Sequence, residues 1–406
     1  MSTDLKLLFA TRITRLFAYG FLSVVLALYL AEIGLSLFEI GLLFSLTLVG
    51  DAAISLWITT RADRAGRRRM LIFGACLMLL SGGVFLATSN ILFLLFAAII
   101  GVISPSGNDI GPFLSIEQAS LSQLVGDEKR TRIFAWYNIA GSFSTALGAA
   151  SGGFLIQLLE SRGVSLLSAY QILIAGYSLS GLSLLLFFAL LSRAVEVATP
   201  APVRENPFLG LHRSKKIVLK LSLLFSLDAF AGGFILQSMV ALWFHIRFGV
   251  DPAVLGGIFF GANILAGLSA MAAVPLAKRF GLINTMVFTH IPSNLLLMLV
   301  PLMPGVTSAI IALLLRFSIS QMDVPTRQSY TMAVVSPDER SAASGVTSIA
   351  RSVGASISPL LTGLFMGVPA LLSVPFFLSG GLKIVYDVLL FREFRSIKAP
   401  EEIRKP

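Results

Sequence analysis

The chain has 406 residues, 56% of them hydrophobic and only 13% charged, about half the roughly 25% charge of an ordinary soluble domain. So little charge excludes a soluble globular protein, and a net charge of +10 spread between apolar runs, with no solvated basic face, excludes a nucleic-acid binder. One cysteine, Cys76, and three scattered histidines, His212, His245 and His290, leave neither a disulfide framework nor a metal-ligand cluster, so no cofactor or metal is expected.

The chain opens basic and then apolar. Its apolar stretch is too long for a cleaved signal peptide and lacks a small-residue cleavage site, so a retained first membrane helix is expected. A membrane helix needs about 20 apolar residues. In chain order the runs fall near 7–31, 37–60, 70–89, 91–122, 132–159 and 166–191. A second set falls near 217–245, 252–276, 283–303, 306–334, 342–366 and 370–390. Within span 4 the stretch SPSGNDIGP interrupts the run, and irregular backbone at that depth must lie against protein or a water-filled cavity.

Basic residues alternate between the connections. Arg61, Arg64, Arg67, Arg68 and Arg69 follow span 2, and Lys129, Arg130 and Arg132 follow span 4. Arg193, Arg204, Arg213, Lys215 and Lys216 follow span 6, Lys278 and Arg279 follow span 8, and five more lie in the tail. The opposite connections carry only Arg162 and Arg247. The positive-inside rule therefore puts both termini in the cytosol, which needs an even number of spans. The absence of an Asn-X-Ser/Thr sequon favours a prokaryotic cytoplasmic membrane. The expected organisation is an N-terminal six-helix bundle (1–191), a cytosolic linker (192–216), a C-terminal six-helix bundle (217–391) and a cytosolic tail (392–406).

The halves repeat. At an offset of 215 residues, Gly41/Gly256, Phe44/Phe259, Ala62/Ala277, Arg64/Arg279, Gly66/Gly281 and Phe73/Phe288 coincide. At 213, RLFAYGF from Arg15 meets DAFAGGF from Asp228; at 210, Gln118/Gln328, Arg130/Arg340 and Gly153/Gly363 coincide. Three close offsets in the same order argue for duplicated halves joined by a cytosolic linker.

With Asp63, Arg64, Gly66, Arg67, Arg68 and Leu71 in the loop after span 2, the chain resembles the major facilitator superfamily, whose loop reads D-R-x-G-R-R/K-x-x-L. It departs at Thr59 and Arg61, where the family usually has glycine and leucine. The resemblance implies an all-α membrane protein of twelve transmembrane helices, in two pseudo-symmetric six-helix bundles around a central cavity, working by alternating access. It also implies that the loop formed by Asp63, Arg64, Gly66, Arg67 and Arg68 acts as a conformational latch. The helix 5 motif of the family's drug antiporters is present only in part, as Gly148-Ala149-Ala150-Ser151-Gly152-Gly153, and Gly148-xxx-Gly152 reads also as a close helix contact.

Ionisable residues within spans are costly and point to function. Arg15 and Asp228 occupy equivalent places in spans 1 and 7 with opposite sign, as Glu117 and Arg327 do in spans 4 and 10. Either they pair inside each half, or Glu117 and Arg327 pair across the halves as a gate that protonation opens. Asp51 either neutralises Arg15 or carries a proton. Gate and proton-coupling candidates are therefore Arg15, Asp51, Glu117, Asp228 and Arg327. Asn108 and Asp109 in the broken span 4, with Arg316, Asp323 and Arg351, are the cavity and substrate candidates. Lys383 and Asp387, four apart on span 12, are expected to pair with each other. Trp136, Tyr137 and Asn138 read as packing or interface anchors.

No Walker A sequence is present, so an ion gradient must supply the work. The reading is a secondary transporter of a small organic solute, proton-coupled, leaning to efflux, monomeric in the lipid bilayer and not an enzyme. The alternative is a non-transporting membrane receptor or scaffold that keeps the same fold.

Overall fold

The computed structural model describes residues 3–108, 111–125, 127–196, 211–336 and 339–397, with the side chains of Asp63, Ser341 and residues 127–131 outside that description. Every regular element described is helical: α1 (Thr3–Glu32), α2 (Leu37–Ala65), α3 (Arg67–Ala87), α4 (Ile91–Ile100), α5 (Phe113–Leu124), α6 (Asp127–Ser161) and α7 (Leu166–Ala189). Then follow α8 (Lys215–Gly233), α9 (Gln237–Phe248), α10 (Pro252–Phe280), α11 (Leu282–Leu299), α12 (Val306–Phe317), α13 (Asp323–Val334), α14 (Arg340–Met366) and α15 (Val374–Phe394). Among the described residues, ten stretches are long and apolar enough to cross a membrane, and the short apolar helices α4 and α12 open spans 4 and 10, which accounts for the twelve expected crossings. Large apolar side chains left on the outside, among them Leu92, Phe154 and Leu223, suit a lipid solvent.

Helix starts are chemically marked. Ser36 and Glu39 form a reciprocal capping box at α2, while Asn90 and Ser165 cap α4 and α7. Gly66 and Gly281, matched in the repeat, turn the chain into α3 and α11 at φ of 101° and 88°, a region that L side chains avoid.

The chain forms two compact units, Met1–Pro202 with Leu236–Asn263, and Val203–Ile235 with Ile264–Pro406. In the first, α1 packs along α6, and α3 along α7; in the second, α8 packs along α14, and α11 along α15. These are the same pairings at repeat-equivalent positions. They rest on small residues: a Cβ on Gly20 would lie 2.1 Å from the Thr145 carbonyl oxygen of α6, and one on Gly233 would lie 2.5 Å from the Ala355 carbonyl oxygen of α14. Gly148 and Gly152 close likewise on Phe17 and Phe21 of α1, as the Gly-xxx-Gly spacing suggests.

The unit division departs from the repeat in one place. Residues 236–263, the ends of spans 7 and 8 far from the linker, belong to the first unit. There Ser238 donates its backbone N–H to the Pro105 carbonyl (3.0 Å) and its hydroxyl to the Ser23 carbonyl (2.7 Å). Gln237 Nε2 reaches Ser23 Oγ at 2.7 Å.

Two expectations need correction. Span 10 is not continuous: it breaks at Ser318–Met322, the repeat-equivalent of the break in span 4. Span 7 also breaks, at Phe234–Leu236, where the Phe234 carbonyl accepts from Thr362 Oγ1 (3.0 Å) in place of a helical partner.

Candidate functional site

Each unit buries an ionic cluster at the depth where its interrupted span changes course. In the first unit, α1 presents Thr11, Arg12 and Arg15 toward α5 and α6. Arg15 grips Glu117 with both guanidinium ends, Nη1 to Oε1 at 2.9 Å and Nη2 to Oε2 at 2.7 Å, and both side chains are 0% exposed. Thr11 Oγ1 donates to the same carboxylate at 2.8 Å, and the Tyr137 hydroxyl donates to its other oxygen. Arg12 bonds the Tyr137 carbonyl through Nε (2.8 Å) and lies 4.4 Å over the Tyr137 ring. Every oxygen lone-pair direction that matters on Glu117 is therefore used, the condition for keeping an ion pair in a low-dielectric interior.

In the second unit Asp228 on α8 gathers three cations. Lys383 Nζ lies 2.7 Å from Oδ1, while Arg327 and Arg351 reach Oδ2 at 3.0 and 2.9 Å. Arg327 also holds Asp323 at 2.9 Å. Arg351 is the reachable member, with a side chain 33% exposed against 4% for Asp228. Deeper on the α11–α15 seam, His290 Nδ1 lies 2.9 Å from Asp387 Oδ1, and Asn294 Nδ2 donates to Oδ2 at 3.4 Å. Arg316, on the buried face of α12 with Ala309, Ala312 and Leu313, stacks over Phe317 at 4.8 Å.

Of the two pairings the sequence left open, the one inside each half is formed: Glu117 is bonded to Arg15, and Arg327 to Asp228 and Asp323. Helices 1 and 4 of one half already bring a matching partner within reach at that depth. The result is one ion pair written twice with reversed polarity: Arg15–Glu117 in the first repeat, Asp228–Arg327 in the second. The expected pair of Lys383 with Asp387 is not formed. Cross-helix partners, Asp228 for Lys383 and His290 for Asp387, win over the i, i+4 neighbour because both lie at hydrogen-bond distance.

Of the remaining candidates, Asp51 is half-buried and accepts from Ser55 Oγ at 3.3 Å. Asn108 is exposed in the span 4 break, where its carbonyl takes a bond from Ser104 Oγ (2.8 Å); Asp109 lies outside the described residues. In the loop after α2, Arg64 is exposed, the Asp63 side chain is outside the description, and Arg67 and Arg68 turn inward. Their backbone N–H groups donate to Glu196 at 2.7 and 3.2 Å, and Arg67 Nη1 donates to Gln123 Oε1 at 3.0 Å. The loop thus grips the first turn of the linker, which Asp4 also holds through Ser192 (2.8 and 2.6 Å).

Residue reading alone missed Glu196, Glu339, the His290–Asp387 pair and the weight carried by Tyr137. His290 had a visible signal, as a histidine in the middle of an apolar span. Glu196 and Glu339 had none, because their partners are backbone N–H groups more than 100 residues away.

Three comparisons bear on this arrangement. The model of the Major Facilitator Superfamily matches residues 8–359. An uncharacterised membrane protein of Saccharomyces cerevisiae, YJR124C, is 31% identical over 98% of this chain and 95% of its own length. The quinolone resistance protein NorA of Staphylococcus aureus is 21% identical over 92% of each chain. Among solved structures, a bacterial homolog of the human lysosomal transporter Spinster, inward-facing and occupied, superposes with a TM-score of 0.71 at 17% identity, covering 98% of each chain.

Proposed function

The chain belongs to the major facilitator superfamily, and from that premise we propose that it moves a small organic solute outward across the membrane by alternating access, in exchange for protons. The observation that carries this reading is the reversed-polarity pair, Arg15–Glu117 in one unit and Asp228–Arg327 in the other. A pair of charges in a lipid-solvated helix bundle is expensive to keep, and a receptor or scaffold gains nothing from two of them at matched positions. Protonating Glu117 or Asp228 would release its cations, and a released cation changes which helix packing is favourable. Glu117, Asp228 and Asp51 are therefore proposed to carry the coupled proton, with Arg15 and Arg327 as the groups that respond. His290 and Asp387 join them as a second titratable pair behind Lys383.

Proposed to meet the solute along its path are Asn108 and Asp109 in the first unit and, in the second, Arg316, Asp323 and Arg351, of which Arg351 is the more exposed cation. The loop from Asp63 to Arg68 acts as the latch, and its grip on Glu196 adds the linker to it. Both termini are proposed to be cytosolic, on the charge asymmetry of the connections. Outward direction is proposed on a relative named for quinolone resistance, against a helix 5 motif that is kept only in part. One chain supplies both repeats, so a monomer is the proposed working unit.

The test is solute-driven proton movement in proteoliposomes with a trapped pH dye and an imposed pH gradient. Addition of a transported solute to wild type should change internal pH, and Glu117→Gln or Asp228→Asn should abolish that change. A solute flux that proceeds with no proton movement in wild type would remove the coupling from the proposal.

A further inference from the structure

The buried charges of the second unit do not balance. Its membrane-depth cations among the described residues are Arg316, Arg327, Arg351 and Lys383; its carboxylates are Asp228, Asp323 and Asp387. Asp228 and Asp323 are bonded to Arg327, Arg351 and Lys383, and Asp387 is bonded to His290. Arg316 is what remains. It is 9% exposed, it makes no ion pair or side-chain hydrogen bond among the described residues, and its buried Nε has no partner. The carboxylate that acts on it electrostatically, Asp323, is already held by Arg327 at 2.9 Å.

Placement gives the unpartnered guanidinium its meaning. Arg316 is ten residues from the start of α12, about 15 Å along the helix at ~1.5 Å per residue, well inside the span. It stands at the edge of the span 10 break. Four residues on, in the break itself, the Ser320 hydroxyl is also buried without a partner. The adjoining Gln321 N–H is satisfied by Ser269 Oγ of α10 (3.2 Å), so the break is a built turn whose two unmet groups are a guanidinium and a hydroxyl. Unmet buried donors of this kind call for an acceptor, and a buried cation calls for an anion.

We propose that the transported solute is an organic monoanion whose carboxylate sits on Arg316, with the Ser320 hydroxyl as second donor, inside the span 10 break of the second unit. The inference rests on the transport reading and adds the solute's class to it. The guanidinium fork supplies the charge and the bidentate fit that a carboxylate needs. Arg351 and Arg327 are left on Asp228, so the solute need not break the cluster in order to bind.

A structural arginine and a substrate arginine differ in the sign of their effect on the empty protein. Arg316→Gln and Arg316→Met remove an uncompensated buried charge, so without added solute both should melt above wild type in detergent. An arginine needed to hold the end of α12 would make both melt lower, and that result overturns the proposal. In wild type at fixed sodium chloride, benzoate should raise Tm; benzamide and an equal addition of sodium chloride should not. In Arg316→Gln the benzoate effect should weaken roughly thirty-fold or more in concentration, the loss of one buried charged contact of about 2 kcal/mol. No benzoate effect in wild type, or an equal effect of chloride, also overturns it. Proteoliposomes separate the two levels: flux of neutral or cationic solutes alone would sink the anion site and keep the transporter. Failure of every solute would sink the transporter itself.

Discussion

Removing the Glu117 carboxylate takes away the two contacts it makes with Arg15, whose guanidinium stays buried beside Phe113. Breaking one side of such a pair typically costs about 3–5 kcal/mol, while replacing both members by neutral groups is far milder. Glu117→Gln and Arg15→Gln should each lower Tm sharply, and Arg15→Gln/Glu117→Gln should recover most of the loss. Additive losses in that thermal double-mutant cycle would mean the pair is not coupled. Glu339 gives a pH-resolved counterpart. Burial pushes its carboxyl up, but the N–H groups of His212, Arg213 and Ser214 and the Ser214 hydroxyl outweigh that and hold it at about 2, against an ordinary 4.5. A folded value below the unfolded one stabilises fully above pH 4.5 and is lost as pH falls through 2. Glu339→Gln should therefore melt below wild type at pH 7, and the two should converge as the pH approaches 2, read by scanning fluorimetry. Sequence alone marked Arg15, Glu117, Asp228 and Arg327, since each is an ionisable residue in an apolar run, but not Arg12, Tyr137 or His290. It could not assign their partners, because pairing depends on how each helix is rotated. Arg15, Glu117, Asp228 and Arg327 were placed at matched depth from the repeat offsets, yet the same offsets allow a pair within a half or across halves.

At the scale of the element, the breaks in spans 4, 7 and 10 set the shape of the site. Span 4 announced its break through Pro105, Gly107, Gly111 and Pro112. Span 10 breaks at SISQM, which contains neither residue, and its signal lies one step later: Asp323 and Pro325 occupy the first turn of α13, where an acid and a proline favour a helix start. Pro275, Pro292 and Pro359, by contrast, sit inside continuous helices, since bundle neighbours can satisfy the carbonyls that a proline frees. Proline is thus a weak mark of a break in lipid, and its position within the turn carries more than its presence. The packing glycines can be tested directly. Gly20→Ala and Gly233→Ala force a Cβ to 2.1 Å from the Thr145 carbonyl oxygen and 2.5 Å from the Ala355 carbonyl oxygen, and overpacking of this kind costs about 1–3 kcal/mol. Both should lower Tm. Gly257→Ala, in α10 with nothing within 4 Å of the new Cβ, should leave it unchanged or raise it slightly.

Across the whole molecule, the duplication is expressed in three independent ways. The loop glycines Gly66 and Gly281 share a positive φ, Gly20 and Gly233 share a backbone-tight contact, and the ion pairs share position with their signs exchanged. Conserved geometry with inverted charge means the two repeats are not electrostatically interchangeable. The first offers its anion on the interrupted helix 4 and its cation on helix 1; the second reverses this. The family-like loop was readable as a motif, and the twelve spans from the apolar runs. The two compact units were not, because the repeat predicts a boundary at the linker and residues 236–263 fold on the other side of it.

That displaced stretch makes the gene's halves and the molecule's halves different objects. A chain severed after Pro202 gives a first fragment that contains all of its own repeat and still lacks part of its own unit, including the groups that bond Ser23 and the Pro105 carbonyl. The second fragment owns those groups and has no use for them alone. Each piece is then a client of the other: expressed singly, the first should be degraded, while co-expressed the two should accumulate and purify together without a covalent bond. Accumulation of the first fragment by itself at the co-expressed level would show that residues 236–263 are dispensable to the unit they join.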